Sequence, residues 1–308
     1  MGLTVAFFSL LDRYFVLSPM MQHDPVMIGE VLEGLQLDKR KVIIDATLGL
    51  GGHSEAILQD ARFTGMLYGI DRDRSHLDFA SNRLEAFRDR FQAFHSNFAD
   101  LQKVLLEIPR GFDGIIFDLG LASPHVDDAD RGFSYLSDAP LDMRMDQGQS
   151  LTAADFLAKS SESELVEIFR TYGEEWLARP IAKAILHARL EGGIRTTRAL
   201  SDLVAQVYHR FYRGHSRSHP ASKVFQALRI AVNDELGALE KALQVSIASI
   251  AASGRIVVIS YHSLEDRIVK HFFRQQSKQD PPTISVLTKR PLRPSPEEIQ
   301  QNPRSRSA

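Results

Sequence analysis

Three aspartates at the ends of apolar runs, and a knot of glycines beside the first, are where this chain could do chemistry. Residues 41–53 read KVIIDATLGLGGH. Val42, Ile43 and Ile44 predict a short buried strand that ends in Asp45. A turn with Gly49, Gly51 and Gly52 follows, and a helical pattern begins at Ser54. A second strand, Met66 to Ile70, ends in Asp71, and a fourth, Gly114 to Asp118, ends in another acid. Glycines let a backbone approach a ligand closely, and a carboxylate after the second strand accepts hydrogen bonds from ribose hydroxyls. Ligands of open α/β sheets sit outside the carboxyl ends of the strands, so Asp45, Asp71 and Asp118 should face one crevice. Each could instead cap a helix, the commoner task of an aspartate after a strand.

The ligand is a ribose-bearing cofactor on this reading. Dinucleotide folds use such a turn to meet a pyrophosphate at a helix N-terminus. A carboxylate at Asp45 would repel that anion and suit the ammonium of a methionine moiety, which favours S-adenosyl-L-methionine (AdoMet) over a nicotinamide cofactor. Phe98, in HSNF after a third strand (Phe91 to His95), stands where an adenine could be covered; core packing is its plainer role.

Two further segments are chemically dense. DLGLASPHVDDADRGFSYLSDAPLDMRMD, Asp118 to Asp146, is rich in Asp, Arg, Gly and Ser and has too few apolar residues for a core element. A loop so polar and varied is more often functional than filler. ISYHSLEDR, Ile259 to Arg267, follows a fifth strand (Ile256 to Ser260) and brings Ser260, His262, Ser263, Glu265 and Asp266 to the same end of the sheet. His262 and Asp266 invite a hydrolytic triad with either serine, but no nucleophile-elbow pattern surrounds them. Their spacing matches no recognised metal site. Capping and salt bridging account for Glu265 and Asp266.

The elements that must position these residues alternate strand and helix as far as Asp118. Ser75 to Arg90 predicts an amphipathic helix and Leu101 to Ile108 another. From Asp127 to about Arg217 strand-like runs give way to helical ones: Ala153 to Ala158, Glu162 to Phe169, Ala178 to Ala188 and Leu200 to Tyr208. One long helix is expected over Lys223 to Gln244. A fifth strand arriving roughly 135 residues after the fourth implies an inserted helical domain, because loops of that length are not structureless. The fold class is therefore α/β, a Rossmann-like sheet with an inserted all-helical domain. Its parts are an N-terminal extension (1–20), a sheet domain (21–126 and 218–308) and a helical insertion (127–217). The tail from Pro281, proline-rich and basic, is expected to be extended.

Composition bounds the rest. The 308 residues are 44% hydrophobic and 25% charged, enough to bury a core without staples. No cysteine is present, which excludes disulfides and thiolate chemistry. Asp12 and Arg13 interrupt the only membrane-like stretch, Leu3 to Met20, so no membrane partner and a cytoplasmic location are expected. A net charge of −2 argues against general nucleic-acid binding, but its distribution does not. Between Arg189 and Arg229 eight Lys or Arg stand against two acids, interleaved with Tyr208, Phe211 and Tyr212. That pattern suits a surface for phosphates and bases, although most charge runs are solvated faces.

DATLGLGGHS, the Asp118–Asp146 block, HPASKVFQALRIAVNDEL (His219 to Leu236) and VVISYHSLEDRIVK together resemble the ribosomal small-subunit RNA methyltransferase H family, historically the MraW family. The resemblance runs from about His23 to the C-terminus. It implies an AdoMet-dependent methyltransferase acting on the exocyclic N4 of one cytidine in the decoding region of small-subunit rRNA. The partner is then that RNA or a ribosomal particle; the oligomeric state stays open. Family cofactor contacts fall on Gly51, Gly52, His53, Asp71, Phe98, Asp118 and His125, the last standing where the family most often has Gln; no metal is implied. Leu121 and Ala122 also depart from the usual Val and Ser. Two rivals are a non-catalytic ribosome-assembly factor, which would bind RNA without turnover, and a nicotinamide oxidoreductase, against which Asp45 speaks.

Overall fold

The computed structural model describes residues 25–211 and 219–308; the N-terminal extension and the stretch with Arg213 and Arg217 lie outside them. Its centre is a sheet of five parallel strands: β1 (Val42–Asp45), β2 (Met66–Asp71), β3 (Phe91–His95), β4 (Phe112–Asp118) and β5 (Ile250–Ile259). The spatial order is β3-β2-β1-β4-β5, which leaves β1 in the middle and reverses the winding between β1 and β4. All four residues of β1 are buried, as expected of a strand covered on both faces. β5 starts six residues earlier than its apolar run suggests. The register slips between Phe112 and Gly114, beside Ser253 at φ 63°, so pairing survives residues that lack strand character.

Helices α1 (Ile28–Leu35), α2 (Gly52–Gln59) and α3 (Arg74–Arg83) cover one face. Leu35, Ile57 and Ala80 pack there on Ile43, Leu67 and Ile116. The other face carries α4 (Leu101–Leu105), α11 (Glu235–Ser249) and α12 (Ser263–Ser277), whose Leu101, Leu243 and Phe272 join Ile44, Ile70 and Phe117. Each such side chain contributes about 1.5–3 kcal/mol by leaving water.

Between β4 and β5 lie α5 (Ser123–Asp127), α6 (Ala153–Lys159), α7 (Glu162–Thr171), α8 (Ala178–Leu190), α9 (Thr197–Phe211) and α10 (Ser222–Asn233). A second core forms here around Leu157, Phe169, Ile181 and Val204, and α10 joins it through Phe225 and Leu228. Capping boxes at Thr152 and Ser161 start α6 and α7.

Three expectations need correction. The stretch 223–244 is two helices, because Asp234 adopts φ 48°. Asn233 fixes this break: its Oδ1 accepts the Met145 N–H and its Nδ2 donates to the Met143 carbonyl. Helical periodicity cannot register a bend imposed by a distant loop. That loop, Asp118 to Asp146, is also less polar in effect than it reads. Phe133, Leu141, Met143 and Met145 are buried in the helical core, while Arg131 and Arg144 satisfy backbone carbonyls. Finally, the tail folds back. α13 (Pro296–Gln301) is capped by Ser295, and Glu298 Oε1 accepts the Met27 N–H at 2.7 Å. Among the described residues no helix is long and apolar enough to cross a membrane.

Candidate cofactor and substrate cleft

The carboxyl ends of β1, β2 and β4 open onto one cleft of about 460 Å³, within the roughly 300–1,000 Å³ of small-molecule sites. Gly52, His53, Asp71, Phe98, Asp118 and His125 all line it. Gly51 does not. Its φ is +80°, and a Cβ there would lie 3.3 Å from both Ala80 Cβ and Leu84 Cδ1. Its lack of a side chain therefore serves the packing of the turn on α3. Gly49, and not Gly51, lines the cleft, at φ +51°.

Asp71 holds the turn and the next helix together. Oδ2 accepts the Gly49 N–H at 2.7 Å and Oδ1 accepts the Asp73 N–H at 2.8 Å. A carboxylate oxygen accepts more than one hydrogen bond, so both can still receive ribose hydroxyls. Asp45 differs from expectation. It is 1% exposed, accepts from Ser54 Oγ at 2.7 Å and from the Thr47 N–H at 3.2 Å, and is turned away from the cleft. Burial lifts its pKa to about 6 against these hydrogen bonds. It braces the turn from beneath and does not face an ammonium.

Asp118 sits in a fixed frame. Its N–H donates to Thr47 Oγ1 at 2.6 Å, and Oδ1 accepts from the Tyr261 hydroxyl at 2.8 Å. Burial and the neighbouring Asp118 charge push the Tyr261 phenol upward, so it stays a neutral donor. His53 approaches Asp118 Oδ2 with Nδ1 at 3.5 Å. Its Nε2 lies 2.8 Å from the Val26 carbonyl; a carbonyl only accepts, so that nitrogen carries the proton.

His125 belongs to a buried cluster built on Asp73, the N-cap of α3. Asp73 Oδ2 accepts from His125 Nε2 at 3.0 Å and Arg131 Nη1 at 2.8 Å, and Oδ1 from Ser75. Burial would raise the Asp73 carboxyl, but these bonds outweigh it and hold it well below the usual range. Burial keeps His125 below its ordinary pKa and so neutral, despite the Asp73 bond. With Nε2 donating, His125 Nδ1 is an acceptor, and it is buried without a partner among the described residues. His76 joins the cluster, its ring 4.4 Å from that of His125; its Nδ1 lies 3.8 Å from Asp71 Oδ2 and its Nε2 3.8 Å from Asp73 Oδ2, and neither makes a hydrogen bond among the described residues. Both histidines line the cleft, with these nitrogens buried behind its surface.

Asp73, His76 and His125 also bring ligand atoms within 4.8 Å of one another. The Arg131 guanidinium already occupies the shared carboxylate oxygen. A divalent ion would add two positive charges beside a buried fixed cation, so the cluster is poorly suited to metal.

The far wall belongs to the helical region and to the loop after β5. Gln226 and Arg229 of α10 and Tyr261 and His262 after β5 continue the same cleft. His262 is the N-cap of α12: Nδ1 accepts the Glu265 N–H at 3.4 Å, and Glu265 Oε2 accepts from Tyr261 N–H and His262 N–H. That reciprocal cap accounts for His262 and Glu265 without a hydrolytic triad. Sequence reasoning singled out neither His76 nor Tyr261. His76 is three residues beyond Asp73, on the first turn that an N-cap defines; Tyr261 directly follows a strand end.

The sequence model of the MraW methylase family matches residues 20–308. The chain belongs to the MraW methylase family. A Syntrophotalea carbinolica protein named ribosomal RNA small subunit methyltransferase H is 46% identical over 303 residues, covering 93% of this chain and 96% of the relative. A Dictyoglomus thermophilum protein of the same name is 46% identical over 288 residues, covering 93% and 94%. One from Geobacter sulfurreducens is 45% identical over 300 residues, covering 93% and 96%. Membership spans the sheet, the helical region and the folded-back tail.

Proposed function

We propose that this MraW-family chain transfers the methyl group of AdoMet to the exocyclic N4 of one cytidine in the decoding region of small-subunit rRNA. The observation that carries the reading is the continuity of the cleft. One end has the acceptor Asp71 and the His125 ring beside the glycine turn, and the other is walled by α10 of the helical region and the loop after β5. Cofactor and substrate can therefore meet in one space.

AdoMet supplies an electrophilic methyl group on a sulfonium. Asp71 accepts hydrogen bonds from its ribose beside the His125 ring, Phe98 covers its base, and the glycine turn with Gly52 and His53 receives its amino-acid end. A cytidine amine is a weak nucleophile because its lone pair is delocalised into the ring, so positioning is the main contribution. Asp118, held by Tyr261 and Thr47, is the fixed acceptor between the two ends; drawing on an amine N–H raises the nitrogen's electron density. A base inside folded RNA must be flipped out to reach the cleft, and residues 127–217 form the part that engages the RNA.

Mass-spectrometric mapping of methylated cytidines in small-subunit rRNA, with and without the protein and AdoMet, tests this. Appearance of one N4-methylcytidine in the decoding region is expected. RNA binding without that mark would favour the assembly-factor alternative.

A further inference from the structure

The chain's single tryptophan, Trp176, is 59% exposed in the turn between α7 and α8. One exposed apolar residue needs no special explanation; the way this one is held does. Glu174 adopts φ 48°, a left-handed conformation that costs a residue with a Cβ about 1–2 kcal/mol. At Gly173 a Cβ would lie 2.7 Å from the Lys223 carbonyl and 2.8 Å from that of Phe169. The strained turn is pinned from two sides. Lys223 Nζ donates to the Glu174 carbonyl and Gln226 Nε2 to that of Tyr172, both at 2.9 Å, while Arg267 pairs with Glu174 Oε1 at 3.0 Å. On the inner side Glu175, 1% exposed, accepts from the Leu177 N–H at 2.8 Å and the Tyr208 hydroxyl at 2.5 Å. Tyr208 then meets the indole edge-on, ring centroids 6.3 Å apart at 80°. The aromatic surface is thus presented rigidly to solvent.

Its surroundings favour a polyanion. Lys223 and Arg267 anchor the turn, Arg179 and Lys183 follow on the exposed side of α8, and Arg210 lies exposed near the end of α9. The turn is tied to the cleft through Gln226, which holds it and lines the proposed substrate end. We infer that Trp176 is a stacking platform for a base of single-stranded RNA, with Arg179, Lys183 and Arg210 receiving the adjoining phosphates. Nucleobases of every kind have a flat face, and stacking on an aromatic side chain is sequence-tolerant. This rests on the RNA-methyltransferase reading and adds where the RNA is gripped outside the catalytic cleft.

Because no other tryptophan is present, fluorescence excited at the red edge, where the seven tyrosines do not absorb, reports on this ring alone. Titration with a short oligoribocytidylate at low salt should quench it saturably, and inorganic polyphosphate should not. By fluorescence anisotropy of a labelled oligonucleotide, Trp176→Ala should weaken binding about fivefold or more, the range of one lost base stack. Trp176→Phe should restore most of the affinity, and AdoMet affinity should be unchanged in both variants. Oligonucleotide binding without quenching, or equal affinity of the Ala variant, would overturn the platform. So would quenching by small-subunit ribosomal proteins and not by RNA, which would mark a protein partner. Methyl transfer to small-subunit rRNA is measured in parallel on the wild type. Transfer with an unaffected Ala variant overturns the platform alone; no transfer overturns the methyltransferase reading.

Discussion

Asp71 Oδ2 accepts the Gly49 backbone N–H at 2.7 Å, so the carboxylate that faces the cleft also fastens the turn that shapes it. On the proposed reading, cofactor recognition and local stability are coupled through one side chain. The capping role that the sequence also allowed falls to Asp73, the N-cap of α3.

Asp71→Ala should therefore show both effects. Loss of charge-assisted hydrogen bonds is expected to weaken AdoMet by about 1.5–3 kcal/mol. The melting temperature of the ligand-free protein should also fall by a few degrees, since about 1 kcal/mol shifts it by roughly 2–4 °C in a larger domain. Calorimetric titration and thermal melts separate the two; wild-type affinity in a folded variant would remove Asp71 from the site.

Gly51→Val should act mainly on the fold. At φ +80° with Ala80 and Leu84 atoms 3.3 Å from a built Cβ, a branched side chain is strained by its backbone and crowds α3. A loss of about 2 kcal/mol or more in urea denaturation is expected. A variant as stable as wild type but unable to bind AdoMet would instead put Gly51 at the ligand.

That reversal marks the limit of what the residues alone convey. Val42 to Asp45 and Phe91 to His95 were legible as strands because short apolar runs ending at turns have few alternatives. Asp71, Phe98 and Asp118 converge on the cleft because parallel strands bring their carboxyl ends to one side. Which glycine faces the ligand depends on how α3 packs, and that is a contact between segments 30 residues apart. The Asp234 break and the folded-back tail were hidden for the same reason. Asn233 bonds to Met143 and Met145, and Glu298 to Met27, and no local periodicity encodes such partners.

Asp73→Ala should be among the most damaging changes near the cleft. It removes the cap of α3 and leaves the Arg131 guanidinium, 6% exposed, without its carboxylate. Breaking a buried pair from one side costs about 3–5 kcal/mol. His125 also loses the bond that orients its ring, so AdoMet affinity should fall with stability. Urea unfolding at neutral pH tests the first effect, and a loss below about 1 kcal/mol would show that the cluster relaxes freely.

Asp45 gives a pH dependence of defined sign. Its folded pKa of about 6 exceeds the ordinary 3.8, so the fold favours the neutral acid. That contribution is complete below about pH 4 and is lost as pH rises through 6. Asp45→Asn, neutral throughout, does not lose it. The stability of the variant relative to wild type should grow between about pH 4 and 7, by up to roughly 3 kcal/mol. Asp73, whose pKa is held low, acts oppositely but is common to both proteins and cancels in the difference. A flat difference across this range would mean that Asp45 ionises freely in the fold.

The last prediction concerns the N-terminal boundary. The family match begins at residue 20, and every sequence motif lies beyond it, so removal of residues 1–20 should leave AdoMet affinity and methyl transfer unchanged. Removal through Met27 should not. Pro25 and Val26 line the cleft, the Val26 carbonyl fixes the His53 ring, and the Met27 N–H anchors the returning tail through Glu298. Loss of these contacts should weaken AdoMet at least tenfold, about 1.4 kcal/mol, by calorimetry. Equal affinity in the longer truncation would mean that His53 and the tail hold their places unaided. If the shorter truncation spares AdoMet affinity but lowers transfer to ribosomal particles, the first 20 residues act on the RNA side of the reaction.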